Sequence, residues 1–160
     1  MVAKKLEFLR EMYPEYRVDI IDNGLRAVIR NPFYNEHLHV SYYEEDDFTP
    51  FVASFSFQHC HLSDEEDVIE WINDVINGRI VSIEFFRNGQ RRFGGDIEAK
   101  ELIDLSYQKL EQYSGYWGIT KLFQIADSFK VRGWHRENNF DAEFVLNQGE
   151  TIVIKTQCDR

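Results

Sequence analysis

Apolar and polar residues alternate along Phe51–Leu62, FVASFSFQHCHL, with the period of two that a strand requires. Phe51, Ala53, Phe55, Phe57, His59 and His61 fall on one face; Val52, Ser54, Ser56, Gln58, Cys60 and Leu62 fall on the other. The pattern predicts one strand whose aromatic ladder ends in two imidazoles. Elsewhere the period lengthens. Leu6, Leu9 and Tyr13 recur at helical spacing, and Pro14 stops a helix predicted over Ala3–Tyr13. Val68, Ile72 and Val75, widened by Ile69 and Ile76, predict a second helix. Ser63 is its expected N-cap, Glu66 completes a capping box, and Gly78 after Asn77 is the stop. A third helix is predicted from a cap at Asp96 through Ala99, Leu102, Ile103, Leu110 and Tyr113, ending at Ser114-Gly115.

Between these helices the chain reads as hairpins. Asn23-Gly24 joins Tyr16–Asp22 to Leu25–Arg30, and Asn88-Gly89 joins Arg79–Arg87 to Gln90–Gly94. Both turns need two residues at positive φ, which Asn and Gly supply. His37–Glu44 and Phe48–His61 form a further antiparallel pair around the acidic tip Glu44–Asp47, with Pro50 on an edge or near the strand start. After Trp117 the chain reads as β, with strand-like segments at Leu122–Ala126, Phe129–Trp134, Glu143–Leu146 and Thr151–Thr156 and a turn at Gln148-Gly149. The prediction is an α+β fold: one domain over residues 1–160, with a mainly antiparallel sheet built from hairpins and about three helices packed on it. Val18, Ile20, Phe55, Phe57, Val68, Ile72, Val75, Ile83, Phe85 and Leu102 are its expected core.

Composition narrows the function classes. An apolar content of 43% with 15% aromatics excludes a disordered chain. The net charge of −10 disfavours nucleic acid and anionic membrane and favours a basic partner. The N-terminal stretch MVAKKLEFLREMYPEY lacks the apolar core of a signal peptide, and no apolar run is long enough to span a bilayer. Cys60 and Cys158 have no metal-type spacing. A cytoplasmic protein is expected.

Four of the five histidines form two strand-spaced pairs, His37/His39 and His59/His61. If their strands pair around Asp47–Thr49, all four odd-numbered residues share a face, and opposed Cβ atoms lie about 5 Å apart. Such a cluster can hold Zn²⁺ or Fe²⁺, with Glu36 or Asp64 adding a carboxylate. It is equally the wet rim of an aromatic core, and a one-residue slip would separate the pairs. The expectation is a structural cluster without metal or other cofactor. Gly94-Gly95-Asp96 lacks the spacing of a phosphate-binding turn, and no nucleophile elbow is present. The imidazoles flanking Cys60 point away from its sulfur, so a catalytic thiol is not expected. Two surface features remain. The acidic tip contributes Glu45, Asp46 and Asp47, and the segment Val131–Asp141 contributes Trp134 and Arg136, residue types typical of interface anchors. Trp134 has the alternative of folding back onto the core.

The run Ile83-Glu84-Phe85-Phe86-Arg87-Asn88-Gly89-Gln90, ending in Phe93-Gly94-Gly95 and preceded by Asp74-Val75-Ile76-Asn77-Gly78, resembles small acidic uncharacterised proteins of Gram-positive bacteria. It is also similar in style to immunity proteins of bacterial polymorphic-toxin systems. The resemblance spans Ser63–Asp96 and implies a compact cytoplasmic protein that binds a cognate toxin domain; it carries no defined functional residues. The expected function is non-catalytic protein binding, with an acidic, aromatic face occluding a basic partner. The alternatives are a metal-dependent enzyme built on His37, His39, His59 and His61, and self-association through an exposed sheet face.

Overall fold

The computed structural model describes residues 4–116 and 122–156. Trp117 and Cys158 lie outside them. The fold is α+β, and all its strand pairs are antiparallel. The described residues form two sheets of five strands rather than one. Backbone contacts divide the chain into two compact units, Met1–Asn77 and Gly78–Arg160, each containing one sheet.

The first unit opens with α1 (Phe8–Met12), shorter than the predicted helix but with the expected face. Leu6, Leu9 and Tyr13 are buried, and the Tyr13 hydroxyl donates to Ile69 O and Asn73 Oδ1 in the second helix. Burial, followed by the charge of Glu15, pushes the Tyr13 phenol well above its usual range. Five strands then form a meander in sequence order: β1 (Val18–Ile21), β2 (Arg26–Ile29), β3 (Leu38–Tyr42), β4 (Phe51–Phe55) and β5 (Gln58–Leu62). The β1–β2 link carries positive φ at Asp22, Asn23 and Gly24, one residue more than a type I′ turn requires. Gly24 is doubly constrained, because a Cβ there would lie 2.9 Å from Lys4 Cα.

The predicted single strand over Phe51–Leu62 breaks in the middle. Ser56 takes φ +54°, and Ser56-Phe57 form a two-residue turn between β4 and β5. Phe55 pairs with Gln58, so the parity of the strand inverts across the turn. Phe51, Ala53 and Phe55 face the core as expected, whereas His59 and His61 leave the aromatic ladder for the opposite face. Helix α2 (Glu65–Ile76) follows and packs on β4. Its buried stripe is Val68, Ile72, Val75 and Ile76. The N-cap is Asp64, not Ser63: the Asp64 carboxylate accepts from Asp67 N–H at 2.9 Å. The Asp67 carboxylate reaches back to Ser63 N–H at 3.3 Å, so Glu66 is not the reciprocal partner. The box is displaced by one residue because Leu62 still belongs to β5, leaving Ser63 to turn the chain before the helix.

In the second unit the sheet order is β10 (Glu150–Thr156), β9 (Phe140–Asn147), β8 (Ser128–Arg132), β6 (Ile80–Arg87) and β7 (Gln90–Glu98). Strands β6 and β7 join at Asn88-Gly89, both residues at positive φ. Strand β7 runs straight through Gly94-Gly95, and Asp96 pairs with Ser82 instead of capping a helix. Ile97, buried at 2% exposure, explains the extension: it continues the core-facing row that Phe93 begins. The third helix, α3 (Tyr107–Tyr116), starts later than predicted, where Ser106 Oγ accepts from Lys109 N–H. Leu122–Ile125 is a short helix, α4, not a strand. Leu122 and Ala126 are both buried at helical spacing, and a short apolar run cannot distinguish the two states by periodicity. Strands β8, β9 and β10 complete the sheet, the last two joined at Gln148-Gly149. Val81, Ile83, Phe85, Phe129 and Val131 pack with Leu102, Tyr107, Leu110 and Leu122 in one core.

Candidate functional site

Register decides where the predicted site residues go. Leu38 pairs with Phe55, so β3 and β4 are offset by an odd number of residues from the predicted alignment. The cause is the connection, a closed loop over Tyr43–Pro50 rather than a tight turn at Asp47–Thr49. Tyr43 N–H donates to Pro50 O at 2.7 Å. Within the loop, Asp46 Oδ1 accepts from Phe48 N–H at 3.0 Å and from Thr49 N–H at 2.8 Å. Those bonds, that to Thr49 foremost, hold the Asp46 carboxyl below the usual carboxylate range. Asp46 is therefore a turn-former first.

This odd offset and the parity inversion at Ser56-Phe57 offset one another. One row of paired residues crosses the sheet as Asp19, Val28, His39, Ser54 and His59. The neighbouring row is Ile21, Arg26, Ser41, Val52 and His61. His39, His59 and His61 thus share a face, but β4 stands between the β3 and β5 members. Strands two apart are separated by about 10 Å, twice the spacing assumed for opposed pairs. His59 and His61 meet edge to face, with ring centroids 5.3 Å apart. His37, just before β3, accepts from Asn31 N–H at its Nδ1, 3.1 Å away. Desolvation, then the charge of Arg30, holds the His37 imidazole below its ordinary value. The four imidazoles do not assemble. Among the described residues, no group of three or more His, Cys, Asp or Glu side chains is placed to hold a metal ion.

A different grouping appears instead. The Tyr43–Phe48 loop lies against the histidine face and leaves a cleft of about 690 Å³. Tyr43, Glu45, Asp46, Asp47 and Phe48 line it from the loop, and Val52, His59 and His61 from the sheet. Glu45 and Asp47 are exposed, as are both imidazoles. Phe48 is 87% exposed and Tyr43 51%, so two aromatic rings stand in water beside the carboxylates. Such a cleft is suited to a cation. Carboxylates supply charge, and aromatic faces attract ammonium or guanidinium groups through the ring quadrupole.

The other pair of candidates separates. Trp134 is completely buried, so it is not an exposed anchor. Its neighbour Gly133 donates its N–H to Asn139 Oδ1 at 2.8 Å, and a Cβ on Gly133 would lie 2.9 Å from Asn138 Cβ. Arg136 is exposed on the following 3₁₀ turn. Phe48 and Tyr43 are the residues that sequence patterning missed. Their position beside an acidic tip was visible, but nothing in the local pattern distinguishes an exposed Phe from a core one. Comparisons with protein-family models, with curated proteins and with solved structures find no match.

Proposed function

We propose that the chain is a non-catalytic protein-binding module that docks a basic partner on the acidic and aromatic cleft, in the manner of an immunity protein occluding a toxin domain. The observation that carries this reading is the exposure of Phe48 and Tyr43 beside Glu45 and Asp47 at the mouth of one cleft. A partner that covers the Phe48 and Tyr43 rings removes their apolar surface from water, which favours binding. The net charge of −10 adds long-range attraction for a basic surface and raises its association rate. On this reading the roles divide by position. Glu45 and Asp47 act on encounter, Phe48 acts on residence, and Asp46 holds the loop.

The test is affinity capture from the native host followed by binding kinetics at two salt concentrations. Glu45→Lys with Asp47→Lys slows association and flattens its salt dependence. Phe48→Ala speeds dissociation, with a loss of roughly 10-fold or more in affinity, as expected of a buried aromatic anchor. Recovery of only acidic partners, or turnover of a substrate by the purified chain with no partner recovered, would end this reading.

A further inference from the structure

We infer that the partner is taken up by strand addition: an extended segment carrying Lys or Arg at alternate positions pairs with the edge of β5. This rests on the basic-partner reading above and specifies its geometry.

Each sheet has two edge strands, and folded proteins ordinarily blunt such edges with charge, irregularity or brevity. Among the described residues, three of the four edges carry a charge or an irregularity. Strand β1, Val18–Ile21, carries Asp19, which is ion-paired with Arg17 and Arg30 at 3.0 and 2.7 Å. Strand β7 carries Arg91, Arg92, Asp96 and Glu98, and its pairing with β6 is broken by an irregularity at Phe85/Phe86. Strand β10 begins with Glu150 and carries Lys155 near its end. Strand β5, Gln58-His59-Cys60-His61-Leu62, has no formal charge, no proline and no bulge. All five of its residues pair in continuous register with β4. Its outer rim is the main chain of His59 and His61, where Cys60 Sγ makes a long, weak contact to His61 O at 3.9 Å, a row of donors and acceptors of the kind a peptide strand can extend.

The side chains of β5 say which strand fits. His59 and His61 line the cleft, so an added strand places every second side chain on the same face, where Glu45 and Asp47 stand exposed. Alternating cations match those carboxylates. A second copy of the chain would bring another charge of −10 to the same edge, which disfavours self-pairing.

The experiment uses the full chain and a short synthetic peptide alternating lysine with valine. Two further versions are N-methylated along one edge or the other, which removes ladder donors without changing charge. Titration calorimetry gives affinity, and amide exchange reports on Gln58–Leu62. The expected result is slowed exchange at alternate amides of β5. One methylated peptide should bind roughly 10-fold or more weaker, and the other near parental strength, as loss of two or more ladder bonds requires. Equal binding of all three peptides overturns strand addition. If Glu45→Lys with Asp47→Lys still weakens all three, the basic-partner reading survives that result. No binding of the parent peptide overturns the inference. So does a concentration-dependent dimer whose β5 amides are already protected without peptide.

Discussion

Asp64 shows how one residue's displacement changes an energetic prediction. The first turn of α2 has amide groups with no intrahelical acceptor, and the Asp64 carboxylate takes that of Asp67. Asp64→Ala is expected to lower stability by about 1 kcal/mol. Ser63→Ala removes no cap and should leave the denaturant midpoint close to that of the parent. The reverse ranking would place the helix start back at Ser63. Sequence reading misplaced this cap because Ser63, Asp64, Glu66 and Asp67 all satisfy the rule, and only the end of β5 chooses between two frames one residue apart. His37 supplies a second expectation at this scale. Its Nδ1 accepts a main-chain N–H, so protonation there breaks a bond made only in the fold. The folded imidazole is held below the ordinary value of about 6.5. The sign follows: the contribution is complete above that ordinary value and is lost as pH falls from it toward the lower folded value. Stability measured from pH 7 to 5 should therefore fall, and His37→Asn, which keeps an acceptor that does not titrate, should flatten the slope. An unchanged slope in that variant would show that His37 does not set it.

At the level of elements, hairpin turns were the most legible feature, because Asn-Gly states a backbone requirement outright. Asn88-Gly89 and Asn23-Gly24 both turn the chain, and all four residues take positive φ. Their surroundings are not equal. A Cβ at Gly89 or Gly149 would meet nothing within 4 Å, whereas at Gly24 it would press on the Lys4 main chain. Substitution by alanine should cost about 1 to 2 kcal/mol at Gly89 and at Gly149, from the left-handed backbone alone. Gly24→Ala should cost clearly more, because main chain cannot rotate away as a side-chain tip can. Equal midpoint shifts for the three variants would contradict the close approach. The turn at Ser56-Phe57 had no comparable signature. Serine pays for a left-handed backbone there, and an alternating run of twelve residues gives no sign of where it folds on itself. That one unmarked turn decided the candidate site. It moved His59 and His61 off the aromatic ladder and onto the face that the acidic loop overhangs. Conversely, Trp134 carries a clear chemical signal, but its complete burial is a matter of tertiary packing, which no pattern of residue types encodes.

On the scale of the whole molecule, α+β class and antiparallel pairing were readable because short hairpin links leave adjacent strands no other arrangement. The division into two sheets was not. Hairpin patterns specify neighbours in pairs and are silent on where a sheet ends. The two sheets also differ in how far apart their partners lie along the chain. In the first, each strand after β1 pairs with its immediate predecessor, so each pairing closes only a short loop. In the second, β6 must find β8 after everything from Arg87 to Asp127 has been looped out, β7 and both helices included. Loop closure grows costlier by about 0.6 kcal/mol for each doubling of length, and it is met before the contacts that repay it form. The first sheet therefore has the lower contact order and can assemble by successive zippering. The second has one distant pairing, in which Phe85 and Phe129 meet from far apart along the chain, while β8, β9 and β10 each pair with a neighbour in sequence.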